Sequence, residues 1–100
     1  MKQHHIIRDG VTLFALESGP ADGPAVVFLH GLGMDGAIWD DVVAQLPDGL
    51  RYIRLDMRGH GQSDVSPAPY SMGALISDCE AVCDALNVRD AVIVGLSIGG

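Results

Sequence analysis

Gly95-Leu96-Ser97-Ile98-Gly99, at the end of the chain, has the residue types and spacing for acyl-transfer chemistry. A serine on a very tight strand-to-helix turn presents its hydroxyl as a nucleophile. Side chains two before and two after it would collide, so both positions are glycine. The next backbone N–H, that of Ile98, points towards a developing oxyanion. The pattern alone also describes an ordinary Gly-Ser turn. Its context is more specific, because the apolar run Ala91-Val92-Ile93-Val94 leads straight into it.

A second oxyanion donor must come from a loop after an early strand. His30-Gly31-Leu32-Gly33 supplies one, with Leu32 N–H as the candidate donor. Gly31 and Gly33 let the main chain approach without Cβ obstruction, and the His30 ring is expected to order the loop. The same segment has a rival reading. Gly31-Leu32-Gly33-Met34-Asp35-Gly36 spells G-x-G-x-x-G after a strand, with Asp56 about twenty residues on, as in an NAD-type dinucleotide-binding domain. Three features disfavour it. Asp35 adds negative charge beside a pyrophosphate, the serine turn goes unexplained, and a hairpin precedes what should be the first strand.

Alternating short elements must position these loops. Ile6-Ile7 and Val11-Thr12-Leu13-Phe14-Ala15-Leu16 flank Asp9-Gly10, a hairpin signal. Residues 19–24 are turn material. Ala25-Val26-Val27-Phe28-Leu29 is an unbroken apolar run, expected of a strand covered on both faces. Ile38, Trp39, Val42, Val43 and Leu46 recur at helical spacing, and Pro47 and Gly49 end that helix. Tyr52-Ile53-Arg54-Leu55 is the next strand, and a long loop runs over 56–70. Ser71 is a plausible N-cap. Leu75, Ile76, Cys79, Val82, Cys83 and Leu86 form one helical stripe closed by Asn87, and 91–94 is a third buried-type strand. The fold class is α/β: a β-hairpin, then parallel strands with right-handed crossover helices.

Composition excludes several classes. The chain has 100 residues, 48% of them hydrophobic and 19% charged, enough for one globular core. A net charge of −7 with no Lys/Arg cluster argues against nucleic acid. No apolar run reaches membrane-spanning length and no secretory signal is present, so a cytoplasmic home is expected. Cys79 and Cys83 share a helical face, but no further ligands stand at metal-site spacing, so core packing is expected and no metal or cofactor is called for.

Three motifs then coincide in order: His30-Gly31-Leu32-Gly33, Asp56-Met57-Arg58-Gly59-His60-Gly61-Gln62-Ser63-Asp64, and Gly95-Leu96-Ser97-Ile98-Gly99-Gly100. Together they resemble the α/β-hydrolase superfamily over the whole chain. Within it, Pro69-Tyr70-Ser71-Met72-Gly73-Ala74-Leu75 and the stretch from Arg89 to Gly100 resemble the 3-oxoadipate enol-lactonases of aromatic catabolism by the β-ketoadipate pathway. Esterases, haloperoxidase-like hydrolases and carbon–carbon bond hydrolases share the three motifs. The resemblance implies Ser97 as nucleophile, Ile98 and Leu32 as oxyanion donors, and a small-molecule ester or lactone substrate. It also implies a structural loop from Asp56 to Asp64, so His60 and Asp64 are not triad members. Serine at 97 sets the chain apart from haloalkane dehalogenases and most epoxide hydrolases, which carry Asp there. Arg58 is a candidate for a substrate carboxylate, although bracing its own loop is the simpler role. Trp39 is a candidate wall of the acyl pocket, although its spacing with Val42 and Val43 also suits a core position. In that family the cap, the triad acid and the triad histidine follow the serine. Residues 1–100 are therefore expected to be a partial domain, inactive and poorly soluble alone, of unassigned oligomeric state. A ligand receptor without catalysis is a third reading.

Overall fold

The computed structural model describes residues 2–8, 10–31, 34–63 and 72–96. One mixed sheet organises them. The hairpin forms where the sequence places it: β1 (Lys2–Arg8) runs antiparallel to β2 (Val11–Ser18), with Arg8 paired to Val11. Gly10, at φ 77°, supplies the left-handed backbone that a two-residue connection needs. Strand β3 (Ala25–Leu29), β4 (Arg51–Asp56) and β5 (Ala91–Gly95) are mutually parallel, and the sheet order is β1-β2-β4-β3-β5.

Burial follows that order. All six residues of β4 are buried, because it lies between β2 and β3. The alternation of side chains divides β3 between two faces. Val27 joins Leu13, Ala15, Ile53, Leu55 and Val82 in the main core, beneath α2 (Met72–Ala85). Phe28 points the other way. It meets Trp39 at a ring-centroid distance of 5.1 Å and Tyr52 at 6.2 Å.

The first helical segment is shorter than its apolar spacing suggests. A 3-10 turn at Gly36–Trp39 leads into a brief α1 (Asp40–Ala44). Ile38, Val42 and Leu46 are exposed and Trp39 and Val43 half-buried, so no residue of that stripe is fully buried. Helix α2 is longer, and the Ser71 position expected to cap it lies outside the described residues. It ends in a Schellman closure. Asn87, at φ 57°, takes the left-handed position, Val88 N–H donates to Cys83 O at 2.8 Å, and Asn87 N–H donates to Asp84 O at 3.2 Å.

Strand β5 has a buried-type sequence, and in the partial domain it stands open among the described residues: Val92 is 63% and Ile93 51% exposed. The strand forms the edge of the described sheet beside β3, and α2 packs over β1 and β2 rather than over β5. Its apolar character therefore has no cover among the described residues.

Candidate active site at the carboxyl ends of the parallel strands

The carboxyl ends of β3, β4 and β5 open on one edge of the sheet. The chain leaves β3 for β4 on one side and returns through α2 to β5 on the other. Such a reversal of strand order leaves a crevice for ligands at the strand ends. Leu29 pairs with Gly95, and Leu96 N–H donates to Leu29 O at 3.1 Å. The β3–β5 ladder thus runs up to the residue before Ser97. Ser97, Ile98 and Leu32 themselves lie outside the described residues.

His30 is fully buried at the start of the glycine loop. Its Nδ1–H donates to Gly31 O at 2.8 Å, and Met57 N–H donates to Nε2 at 2.9 Å. A carbonyl only accepts and an amide N–H only donates, so these two bonds select the Nδ1–H tautomer. Both ring nitrogens are occupied. The ring ties the loop after β3 to the loop after β4, as the sequence suggested. His60 lies against it with the rings tilted at 53° and 5.0 Å between centroids, its Nδ1 at 3.0 Å from Arg58 O. His4 and His5 sit on β1. His4 binds Glu17, and His5 meets the Phe14 ring edge-on.

Asp56 anchors both loops. Its Oδ1 accepts from Gly36 N–H at 2.7 Å and its Oδ2 from Gln62 N–H at 2.9 Å. Ser63 locks the same corner: its hydroxyl donates to Asp56 O and accepts from Phe14 N–H at 2.8 Å. Gly61 is required here. Its φ is 51°, and a Cβ would lie 2.3 Å from Asp56 Oδ2. The dinucleotide reading needs this carboxylate for a ribose hydroxyl, yet both its oxygens are engaged by the protein's own backbone. Asp35, awkward in that reading, caps the 3-10 turn through Ala37 N–H at 2.9 Å.

Arg58 and Trp39 are both used by the fold. Arg58 reaches under α2 and grips Asp78 bidentately, Nε to Oδ2 at 2.6 Å and Nη2 to Oδ1 at 2.7 Å. A substrate carboxylate would have to displace that buried partner. Trp39 is half-buried on the α1 face of the sheet, its ring packed against Phe28. The bracing and core alternatives fit both side chains better than substrate contact.

Asp78 was missed by the sequence reading. It is 2% exposed and also accepts from Arg8 Nη1 at 3.0 Å, joining the hairpin, the loop after β4 and α2. Its spacing was the available signal: an acid three after Leu75 and four before Val82 falls on the buried side of the helix. A second buried cluster spans three strands. Glu17 accepts from Arg51 Nε at 2.7 Å and binds His4 Nε2 at 2.8 Å. The Arg51 hydrogen bond holds the Glu17 carboxyl below its usual range against the opposing effect of burial, and His4 adds to the lowering.

Residues 24–100 match the α/β hydrolase fold family. The chain belongs to that family. Among its hydrolase relatives it is 41% identical to 3-oxoadipate enol-lactonase 1 of Acinetobacter baylyi, over 93% of this chain and 35% of that protein. It is 40% identical to a non-heme chloroperoxidase of Streptomyces lividans, over 92% of this chain and 34% of that one. The structure of Est816, described as an N-acyl homoserine lactone degrading enzyme, superposes with a TM-score of 0.89 at 38% identity, covering 96% of this chain and 36% of that chain. The chain thus spans about a third of the length of these relatives. In this family frame the described residues form the β-hairpin and three parallel strands of an α/β hydrolase sheet. None of the described helices is long and apolar enough to cross a membrane.

Proposed function

We propose that the whole protein is a serine hydrolase of carboxylic esters or lactones, acting on an enol-lactone of the 3-oxoadipate type, with Ser97 as nucleophile. One observation carries the reading most: the Leu96 N–H to Leu29 O bond, which brings the strand entering Gly95-Leu96-Ser97-Ile98-Gly99 beside the strand entering His30-Gly31-Leu32-Gly33. Ser97 follows Gly95 by two residues and Leu32 follows Leu29 by three. In this reading Ile98 and Leu32 serve as the two backbone donors to one reacting carbonyl.

In this mechanism the Ser97 oxygen attacks the carbonyl carbon and a histidine accepts its proton. That histidine and its orienting acid come from the remainder of the protein, because His4, His5, His30 and His60 all precede Ser97 and serve the fold. The tetrahedral oxyanion rests on the Ile98 and Leu32 N–H groups. Ring opening leaves an acyl-enzyme, and water releases the hydroxy or enol acid. Protein groups alone carry these steps, the partner is a small molecule, and the setting is cytoplasmic.

Fluorophosphonate labelling and enol-lactone hydrolysis by the full-length protein test the proposal. Labelling at Ser97, with label and turnover both lost in Ser97→Ala, is the expected result. A full-length protein that neither reacts nor turns over favours the receptor reading. Labelling and ester turnover without lactone turnover would retain the serine mechanism and discard the lactone substrate.

A further inference from the structure

One of the two His30 hydrogen bonds lands on the peptide group that carries a proposed oxyanion donor. The ring is fully buried, so water satisfies neither nitrogen. Its Nδ1–H donates to Gly31 O at 2.8 Å. Gly31, itself buried, also accepts at that oxygen from Met34 N–H at 3.2 Å, so both lone pairs of the carbonyl are engaged.

The Gly31 carbonyl and the Leu32 N–H belong to one peptide group. A trans peptide is planar, with its N–H directed opposite to its carbonyl. Whatever fixes the Gly31 carbonyl therefore fixes the direction of the Leu32 N–H. A restraint is needed here, because Gly31 and Gly33 flank the donor and glycine leaves the backbone torsions loose. Asp56 holds the far end of the same loop through Gly36 N–H at 2.7 Å, but that bond does not reach this peptide plane.

The place of the ring proton is set from the other loop. Met57 N–H donates to Nε2 at 2.9 Å. The opposite tautomer would set Nε2–H against Met57 N–H and a bare Nδ1 against Gly31 O, both sealed from water.

We propose that His30 is a positioning residue for hydrolysis: its Nδ1 proton aims the Gly31–Leu32 peptide at the reacting carbonyl, and Met57 N–H keeps the proton on that nitrogen. The inference rests on Leu32 as an oxyanion donor in the proposed function. Bracing and aiming make different demands on the ring. Bracing the two loops uses both nitrogens, whereas aiming the donor uses the Nδ1–H bond.

The full-length protein tests this, with kcat taken per serine titrated by a fluorophosphonate so that misfolded molecules are not counted. Asparagine offers an amide N–H where Nδ1 stands, and glutamine offers an amide oxygen where Nε2 stands. His30→Gln is expected to lower kcat about 10- to 100-fold, less than or equal to the loss on deleting one donor. KM should stay within about twofold, because the oxyanion exists only in the transition state. His30→Asn should recover kcat to within about threefold of the parent, even where it unfolds at lower urea. Nitrogen-15 spectra of the parent should show the His30 proton on Nδ1, and His30→Gln should shift the Leu32 amide resonance. Equal kcat in His30→Gln and the parent, or equal losses in the two variants, would overturn the proposal. So would a proton on Nε2 or an unmoved Leu32 amide, which are read without turnover. A parent that neither labels nor turns over instead refutes the serine-hydrolase reading on which the proposal stands.

Discussion

Replacing Asp78 by asparagine removes the charge that three elements share. Asp78 is 2% exposed and Arg58 about a tenth exposed at the side chain, with bonds of 2.6 and 2.7 Å between them. Asparagine keeps the shape and leaves the Arg58 guanidinium buried without its carboxylate. Breaking a buried pair in this way costs about 3–5 kcal/mol, a large share of the roughly 5–15 kcal/mol that holds a domain folded. Arg8 contributes less, since its side chain is 26% exposed and makes a single 3.0 Å contact with this acid. Arg8→Met should cost under about 1 kcal/mol. The chain has one tryptophan, and Trp39 is packed on Phe28, so its fluorescence reports urea unfolding. With an m value of about 2 kcal/mol/M, Asp78→Asn should lower the midpoint by about 1.5–2.5 M. Removing both charges as Asp78→Leu with Arg58→Met should recover most of that loss, because neither charge then remains buried. A midpoint change under about 0.5 M for Asp78→Asn, or a double variant no more stable than the single losses added together, would refute the reasoning.

Two further outcomes are expected from the same geometry. Gly61→Ala should destabilise by about 3 kcal/mol, combining left-handed strain with loss of the Asp56 hydrogen bonds; its Cβ would meet Asp56 Oδ2 at 2.3 Å. Gly10→Ala, at φ 77° with no atom within 4 Å of its Cβ, should cost only about 1–2 kcal/mol, and equal losses at the two sites in urea titrations would count against the Asp56 anchor. Glu17 predicts a pH dependence: its folded pKa lies below the usual 4.5, so its ion pairs stabilise the fold above that value and lose this contribution as pH falls through the folded pKa. Unfolding midpoints measured from pH 6 downwards should therefore fall less steeply in Glu17→Gln than in the parent chain, and parallel slopes would rule this out.

Sequence alone settled several of the local elements, where their causes are local. Gly10 fixes the hairpin, the apolar run of β3 fixes a strand, and Asn87 fixes the helix end, each through backbone or side-chain preferences within a few residues. The three glycine-rich motifs also pointed to the family before any coordinate was known. Only tertiary structure decided where the charges went. Arg58 could face a substrate or a brace, and the buried Asp78, twenty positions away in the chain, settles it through two short bonds. Asp56 could hold a ribose or a loop, and the amides of Gly36 and Gln62 take both its oxygens. An apolar run records what a strand suits, while the sheet order and the course of α2 determine what covers it among the described residues. Long-range pairing depends on which strands become neighbours, and no local preference encodes that choice.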